Sequence, residues 1–234
     1  KSLAEEYKLP NLCMAGGVAL NCVANSKILK AGYYKNLWIQ PASGDAGGAL
    51  GAALAVWHNT HKRDQRIIEN FSMKGSLLGP DFSQKEIINS LKHLSAKYEE
   101  IDHDSIIKAT VKALIEGKAI GWFQDRMEFG PRALGTRSII ADPRSEKMQK
   151  ILNLKVKYRE SFRPFAPSVL REELNNWFEL DCDSPYMLLI ANVQKEICNE
   201  MTNKESNLFG IDKLNIIRSK IPAVTHVDYS ARIQ

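Results

Sequence analysis

The sequence predicts two mixed helix-and-strand blocks in succession, the first α/β in character and the second α+β. Over residues 10–61, short apolar runs stopped by glycines alternate with helix-spaced stretches. Between Lys62 and Pro80 the pattern dissolves into charge, Ser and Gly and ends in "LLGP", as an inter-domain linker does. Beyond it, helices are interspersed with several separate strand-like runs. The expected organisation is therefore residues 1–65, a linker over 66–80, and residues 81–234. A chain of 234 residues suffices for one large domain or two small ones, and 44% hydrophobic with 25% charged is an ordinary globular composition.

Taken in order, "NLCMAGG" reads as a strand ended by a glycine pair, and "VALNCVANSKILKAG" has helical spacing closed by Gly32. "NLWIQP" is a second strand, and "GDAGGALGAALAVWHNTHKR" a helix crowded with Gly and Ala. In the second block "SQKEIINSLKHL" is amphipathic, "YEEID" is a polar edge strand or loop, and "SIIKATVKALIEG" is a helix with apolar residues three and four apart. "KAIGWFQ", "SIIA", "PFAPSVL" and "YMLLIANV" are the expected strands of this block. No repeat of fixed period and no low-complexity tract interrupts the chain.

Composition excludes several function classes. No apolar run approaches the roughly 18–20 residues that span a bilayer, and "KSLAEEYKLP" lacks the regions of a signal peptide, so a cytoplasmic address is expected. Cys13, Cys22, Cys182 and Cys198 are dispersed without zinc-type or redox spacing and read as reduced, small apolar residues. The net charge of +5 is mild but unevenly placed: between residues 126 and 171 there are eleven Lys and Arg against four Asp and Glu, enough for a local positive field. The chain begins without Met and ends inside the β-rich "VDYSARIQ", so it is expected to be part of a longer protein.

Two motifs in the first block place glycines at strand-to-helix turns: "AGGVALN" with Gly16, Gly17 and Asn21, and "SGDAGGALGAA" with Gly44 and Gly47. Such turns let a ligand approach the backbone and present unpaired helix N–H groups to an anion, although close packing of helix on strand uses glycine equally well. Asp45 suits either the helix dipole or a divalent metal beside phosphates. His58 and His61 lie at the end of the same helix, where histidine complements the dipole without any metal.

In the second block "QDRMEFGPRALGTRSII" sets Arg126, Arg132 and Arg137 around a Gly-Pro turn, and "KVKYRESFRPFAPS" adds Lys157, Arg159 and Arg163. Guanidinium forks keep their charge and suit bidentate capture of phosphate or carboxylate. A solvated basic surface and a nucleic-acid face are the competing readings. The second wants aromatics interleaved with the charge, whereas Phe129, Phe162 and Phe165 sit beside Gly or Pro as core or turn anchors do.

"GGVALNCVANSKI" with "QPASGDAGGALGAAL" resembles the end of the actin-like ATPase domain of the NodU/CmcH carbamoyltransferases, whose fold is ribonuclease H-like. "WFQDRMEFGPRALGTRSIIADPR", "VKYRESFRPFAPSVL" and "IPAVTHVDYSARIQ" are similar to successive signatures of the YrdC-like domain of the same family. Together these motifs cover nearly the whole chain in the family's order. The resemblance implies an ATP-dependent O-carbamoyltransferase that forms a carbamoyl-adenylate from carbamoyl phosphate and ATP, then carbamoylates a hydroxyl of a small-molecule acceptor such as a sugar or antibiotic. It implies principal carbamoyl-phosphate contacts at Arg132, Lys157 and Arg163, with supporting contacts at Arg137, Arg159, His226 and Arg232. Nucleotide contacts are implied at Gly16, Gly17, Asn21, Gly44 and Gly47, and a ligand to a divalent iron or magnesium at Asp45. No nucleic-acid or membrane partner is expected.

Two alternatives accompany this reading. One is a threonylcarbamoyl-adenylate or tRNA-modifying enzyme; the other is a non-catalytic module that binds carbamoyl phosphate or ATP. The sequence also departs from the family pattern. It has no H-x-x-x-H helix to complete a metal site with Asp45, it carries Tyr229 where the family has Gly in "HVDGSAR", and no N-T-S-F-N motif follows. A protein ending at Gln234 would be expected to have a crippled adenylate site.

Overall fold

The computed structural model of the chain describes residues 1–61 and 73–234, so the expected linker over 66–80 lies outside the described residues up to position 72. The architecture is mixed α and β with small sheets. In the first block helix α1 (Ser2–Tyr7) precedes strand β1 (Asn11–Met14), helix α2 (Cys22–Lys30), strand β2 (Asn36–Ile39) and helix α3 (Asp45–His61). β1 and β2 pair in parallel from Asn11 opposite Asn36 to Met14 opposite Ile39, with α2 as the crossover between them. Asn21 caps α2 by accepting from the Ala24 N–H at 3.1 Å.

The second block runs α4 (Gln84–His93), α5 (His103–Ile115), β3 (Ile120–Phe123), β4 (Arg137–Ile140) and α6 (Met148–Ile151), which continues into a wide helical turn at Leu152–Val156. It proceeds through α7 (Leu174–Trp177), β5 (Leu189–Asn192), α8 (Asn203–Ser206), α9 (Gly210–Leu214) and β6 (Ser230–Ile233). β3 pairs antiparallel with β4, and β5 with β6. Ser83 and Glu86 form a capping box on α4, and Asp102 caps α5 through the Ser105 N–H.

One expected strand differs. "YEEID", read as a polar edge strand or loop, is loop, whereas "PFAPSVL" contains no strand, because Pro164 and Pro167 have no N–H to give to a ladder. The latter segment still runs beside the end of β6: the Val169 N–H donates to the Gln234 carbonyl at 3.0 Å, and the Gln234 N–H to the Pro167 carbonyl at 3.1 Å.

The main core gathers Leu174, Phe178 and Leu180 against Ala191, Val193, Ala231 and Ile233 of the β5–β6 pair. A second cluster joins the blocks, with Ala19 and Ile39 of the first packing on Leu188 and Leu189 of the second. Polar groups specify this seam. Asn25 is fully buried, and its Nδ2 donates to the carbonyls of Ala19 at 2.9 Å and Leu188 at 3.0 Å. Ser26 Oγ accepts from the Ile190 N–H at 2.7 Å. Side chains of α2 thus take the place of a neighbouring strand along part of β5, satisfying backbone groups that burial would otherwise leave unpaired.

The segment just before α4 is stitched to the Gly-Pro turn. Gly79 N–H donates to Met127, Met127 N–H to Pro80 and Phe129 N–H to Ser76, at 2.9, 2.9 and 2.6 Å. Gly130 follows at a φ of 129°, and a Cβ there would lie 3.3 Å from Ala42. The turn therefore needs glycine both for its backbone conformation and for its contact with the first block.

Candidate functional site

Two sites emerge, one in each block. The first is an open cleft of about 560 Å³ where β1 and β2 meet the start of α3, lined by Gly16, Gly17, Gln40, Ser43, Gly44, Asp45 and Gly47 among others. Gly16 takes a φ of 95°, and neither Gly16 nor Gly17 has any atom within 4 Å of where a Cβ would stand. That space is left for a ligand to approach the backbone. Ser43 is buried and its Oγ has no hydrogen-bond partner. An orphaned hydroxyl beside the N-terminus of a seventeen-residue helix suits an anion such as a phosphate.

Gly47 also has a packing reason to be glycine, since a Cβ there would fall 2.0 Å from the Ala42 carbonyl oxygen. Asn21 is spent on the α2 cap. Asp45 is exposed in the first turn of α3, and among the described residues no group of three or more His, Cys, Asp or Glu side chains is placed to hold a metal ion. The residues present therefore do not complete a metal site around Asp45.

The second site is a cluster of arginines in the second block, and its organiser is an acid. Glu128 is 6% exposed, and its Oε1 accepts from the backbone N–H groups of Leu134, Thr136 and Arg137 at 2.8, 2.7 and 3.2 Å. Burial opposes its ionisation, but the donated N–H groups, that of Thr136 foremost, hold its pKa at about 2. The loop "GPRALGTR" is thus wrapped around a buried carboxylate, which fixes the backbone that carries Arg132.

Arg132 reaches across the seam, its Nη2 donating to the Leu20 carbonyl at 3.2 Å, while its Nε is buried without a partner. Arg232 on β6 likewise has a buried, unpartnered Nε. Burial, then the charges of Arg132 and Arg159, press the pKa of Arg232 below its ordinary value, while Cys22 at the start of α2 pulls the other way. The Arg132 and Arg159 guanidiniums therefore each lie within electrostatic reach of Arg232, and among the described residues no carboxylate pulls its pKa back up. Arg159 is aimed by the buried Asn153, whose Oδ1 accepts from its Nε at 2.6 Å and whose Nδ2 donates to the carbonyls of Ser161 and Arg163. The Phe165 ring lies 5.2 Å from the Arg159 guanidinium.

Other expected contacts are placed differently. Arg137 gives its donors to the carbonyls of Gln124, Asp125 and Thr136 and stacks 3.4 Å from the Phe123 ring centroid. Its guanidinium is occupied in holding β4 to the β3 end. Arg163 is half exposed and pairs with Glu160 at 2.7 Å, and Lys157 is exposed at the end of the wide helical turn. Arg126 pairs with Asp81 at 3.4 Å.

His226 sits in a turn before β6. Its Nδ1 lies 2.9 Å from Ser230 Oγ, and its Nε2 is buried without a partner. Burial lowers its pKa, Asp228 pulls upward, and Arg232 and Arg218 add to the lowering. Arg218, 2% exposed, holds the turn from behind by donating to the carbonyls of His226, Lys213 and Leu214. Tyr229 adopts a φ of 62°, the conformation for which glycine is best suited, and its hydroxyl ties the turn to the Asn199 carbonyl at 2.9 Å.

Sequence reasoning did not single out Glu128, Asn153, Ser43, Arg218 or Ser230. Glu128 had a visible signal: it is the acid that precedes "FGPRALGTR", and the loop's many N–H groups need an acceptor once buried.

Residues 1–54 match the family model described as carbamoyltransferase N-terminus, and residues 111–234 the one described as carbamoyltransferase C-terminus. The protein sll1178 of Synechocystis is 56% identical over 98% of the chain. Nodulation protein NolNO of Sinorhizobium fredii is 38% identical over 97%, and the 3'-hydroxymethylcephem-O-carbamoyltransferase of Streptomyces clavuligerus 33% over 95%. The chain spans 38%, 30% and 36% of the length of these three relatives. With the two family models matched in order and the C-terminal one covering more than half of the sequence, the chain belongs to the NodU/CmcH carbamoyltransferase family.

Proposed function

We propose that the chain carries the carbamoyl-phosphate site of an ATP-dependent O-carbamoyltransferase, in the region that resembles the YrdC-like domain, together with the end of an actin-like domain. The observation that supports this most is the convergence of Arg132, Arg159 and Arg232 with two buried Nε–H donors unused. A buried donor without an acceptor and neighbouring like charges without a counter-ion are each unfavourable, and a small phosphate-bearing dianion relieves both at once. Carbamoyl phosphate fits that description. Its phosphate would be held by the three guanidiniums, which would also stabilise charge on the phosphate that leaves when water cleaves carbamoyl phosphate, the carbamate so released then displacing pyrophosphate from ATP to give the carbamoyl-adenylate.

ATP is consumed as a co-substrate in this reading. Gly16, Gly17, Ser43 and Gly44 would take nucleotide in the cleft, through exposed backbone and the unpaired Ser43 hydroxyl. No step is assigned to a metal, because Asp45 has no companion ligands among the described residues. The acceptor would be a hydroxyl-bearing small molecule, as the name of the cephem-carbamoylating relative suggests for that protein.

Calorimetric titration of carbamoyl phosphate tests the proposal. The parent should bind, and Arg132→Ala should weaken binding at least tenfold, since one charge-assisted contact contributes about 1.5–3 kcal/mol. Arg137→Lys should leave affinity within about twofold, because that guanidinium is already engaged by carbonyls. Absence of binding by the full-length parent, or equal affinity in Arg132→Ala, would sink the reading.

A further inference from the structure

The loop that wraps Glu128 touches the glycine cleft at two points. At the first, Gly130 backs onto Ala42, which lines the cleft: a Cβ at Gly130 would lie 3.3 Å from both Ala42 Cα and Ala42 Cβ. At the second, Arg132 Nη2 donates to the Leu20 carbonyl at 3.2 Å. Leu20 closes the short helical turn Gly17–Leu20, whose first residue lines the cleft, and its Cδ1 lies 3.9 Å from where a Cβ on Gly44 would stand. The two walls contacted in this way are joined to each other, since the Gly16 N–H donates to the Ser43 carbonyl at 2.7 Å.

The same first-block segment also supports the far side of the arginine cluster. Ser26 Oγ accepts from the Ile190 N–H at 2.7 Å, and Ile190 stands opposite Arg232 in the β5–β6 pair. Residues 16–26 therefore face the cleft at one end, engage Arg132 through a carbonyl, and hold the strand beside Arg232 at the other end.

Arg132 is the pivot of this arrangement. A guanidinium is a rigid plane, so the bond from Nη2 to Leu20 sets the direction of its other donors, including the buried Nε that has no partner. An anion taken by that Nε leaves the Nη2 bond in place. Ligand and cleft wall then orient the same plane, and the freedom lost in fixing it is lost once for two ligands. We propose that residues 128–136 couple the two sites, so that an anion on the arginine cluster raises the affinity of the cleft for nucleotide, and nucleotide raises the affinity of the cluster for the anion by the same factor. Joint occupancy is thereby favoured over either substrate alone, which limits loss of the carbamoyl donor to water when no nucleotide is present. This rests on the reading of the cluster and the cleft as carbamoyl-phosphate and nucleotide sites and adds the dependence of one on the other.

The test uses two unreactive probes: α,β-methylene-ATP, and phosphonoacetamide, in which a methylene replaces the bridging oxygen of carbamoyl phosphate. Each is titrated into the full-length protein alone and with the other at saturation. Each should tighten the other by at least about fivefold, and the two factors should be equal. Gly130→Ala places a methyl group against Ala42 at a φ of 129°, which side chains rarely adopt, and should bring the factor down toward one while each probe alone keeps its affinity within about threefold. Circular dichroism establishes whether that variant is folded; the factors measured in the parent decide the matter without it. A factor of one in the parent, mutual weakening of the two probes, or full coupling in folded Gly130→Ala would overturn the proposal. A parent that binds neither probe would instead defeat the underlying reading of the two sites.

Discussion

The glycine cleft and the arginine cluster, both proposed above to take an anion, are built by opposite means. In the cleft the binding groups are backbone and the side chains are absent: Gly16 and Gly17 face open space, and the one orphaned polar atom is a neutral hydroxyl. In the pocket the binding groups are long charged side chains that repel one another, aimed by buried acceptors. Preorganisation is therefore stored in different places. The cleft depends on conformations and close approaches that only glycine permits. The arginine cluster depends on Glu128 and Asn153, which hold the segments bearing Arg132 and Arg159 near Arg232. Substitutions should accordingly act on stability in one region through sterics and in the other through unpaired polar groups and charge.

The largest effect is expected at Glu128. Replacing it with Ala leaves the N–H groups of Leu134, Thr136 and Arg137 without their shared acceptor. The expected loss is about 3 kcal/mol in urea unfolding, with anion affinity falling alongside. Its pH dependence gives a second handle. The folded pKa is about 2 against an ordinary 4.5, so the stability due to this carboxylate is fully present above 4.5 and is lost as pH falls through 2. The stability difference between the parent and Glu128→Gln should be flat from neutral pH to about 5 and shrink steadily below that. A difference that grows with acid would contradict the hydrogen-bonding assignment.

The corresponding break in the cleft is steric. Gly47→Ala would drive a methyl group to 2.0 Å from the Ala42 carbonyl oxygen, a backbone atom in a fully buried residue. The expected cost is about 2 kcal/mol. Gly51→Ala in the same helix meets nothing within 4 Å and should be neutral or stabilise by about 0.5–1 kcal/mol through helix propensity. If the two variants behave alike in chemical denaturation, the packing role of Gly47 is wrong.

What the sequence made legible follows the same division. Strand, turn and helix in the first block could be read because periodicity and glycine punctuation are local signals, and β1, α2, β2 and α3 appear in the predicted order. "PFAPSVL" was misread because apolar β-forming residues outweighed the two prolines that deny it a ladder. Arginine clustering drew attention to the loop that wraps Glu128, but composition could not separate Arg132, which crosses to the Leu20 carbonyl, from Arg137, which is consumed by carbonyls of its own block. That distinction depends on contacts as many as 112 residues apart. The role of Glu128 was hidden for a related reason, since an acid beside arginines reads as a counter-charge. In the fold its partners are three backbone N–H groups.

An effect on stability smaller than those at Glu128 and Gly47 is the one that best separates binding from folding. In the free protein Arg232 has a buried Nε without a partner, and the Arg132 and Arg159 guanidiniums weigh against its charge. Arg232→Met keeps the unbranched stem that packs along β6 and removes the charge. Replacing a partly buried, unpaired charge with an apolar side chain should raise the stability of the free protein by about 1 kcal/mol. The same change removes one of the three cations that define the pocket, so carbamoyl-phosphate affinity should fall at least tenfold, a loss of about 1.4 kcal/mol. Stability and binding moving in opposite directions is the signature of a side chain retained for its ligand. Glu128→Ala should move both downward together, because there the pocket fails through its support. If Arg232→Met lowers stability as well, the arginine is holding the fold, and the pocket must be redrawn around Arg132 and Arg159 alone.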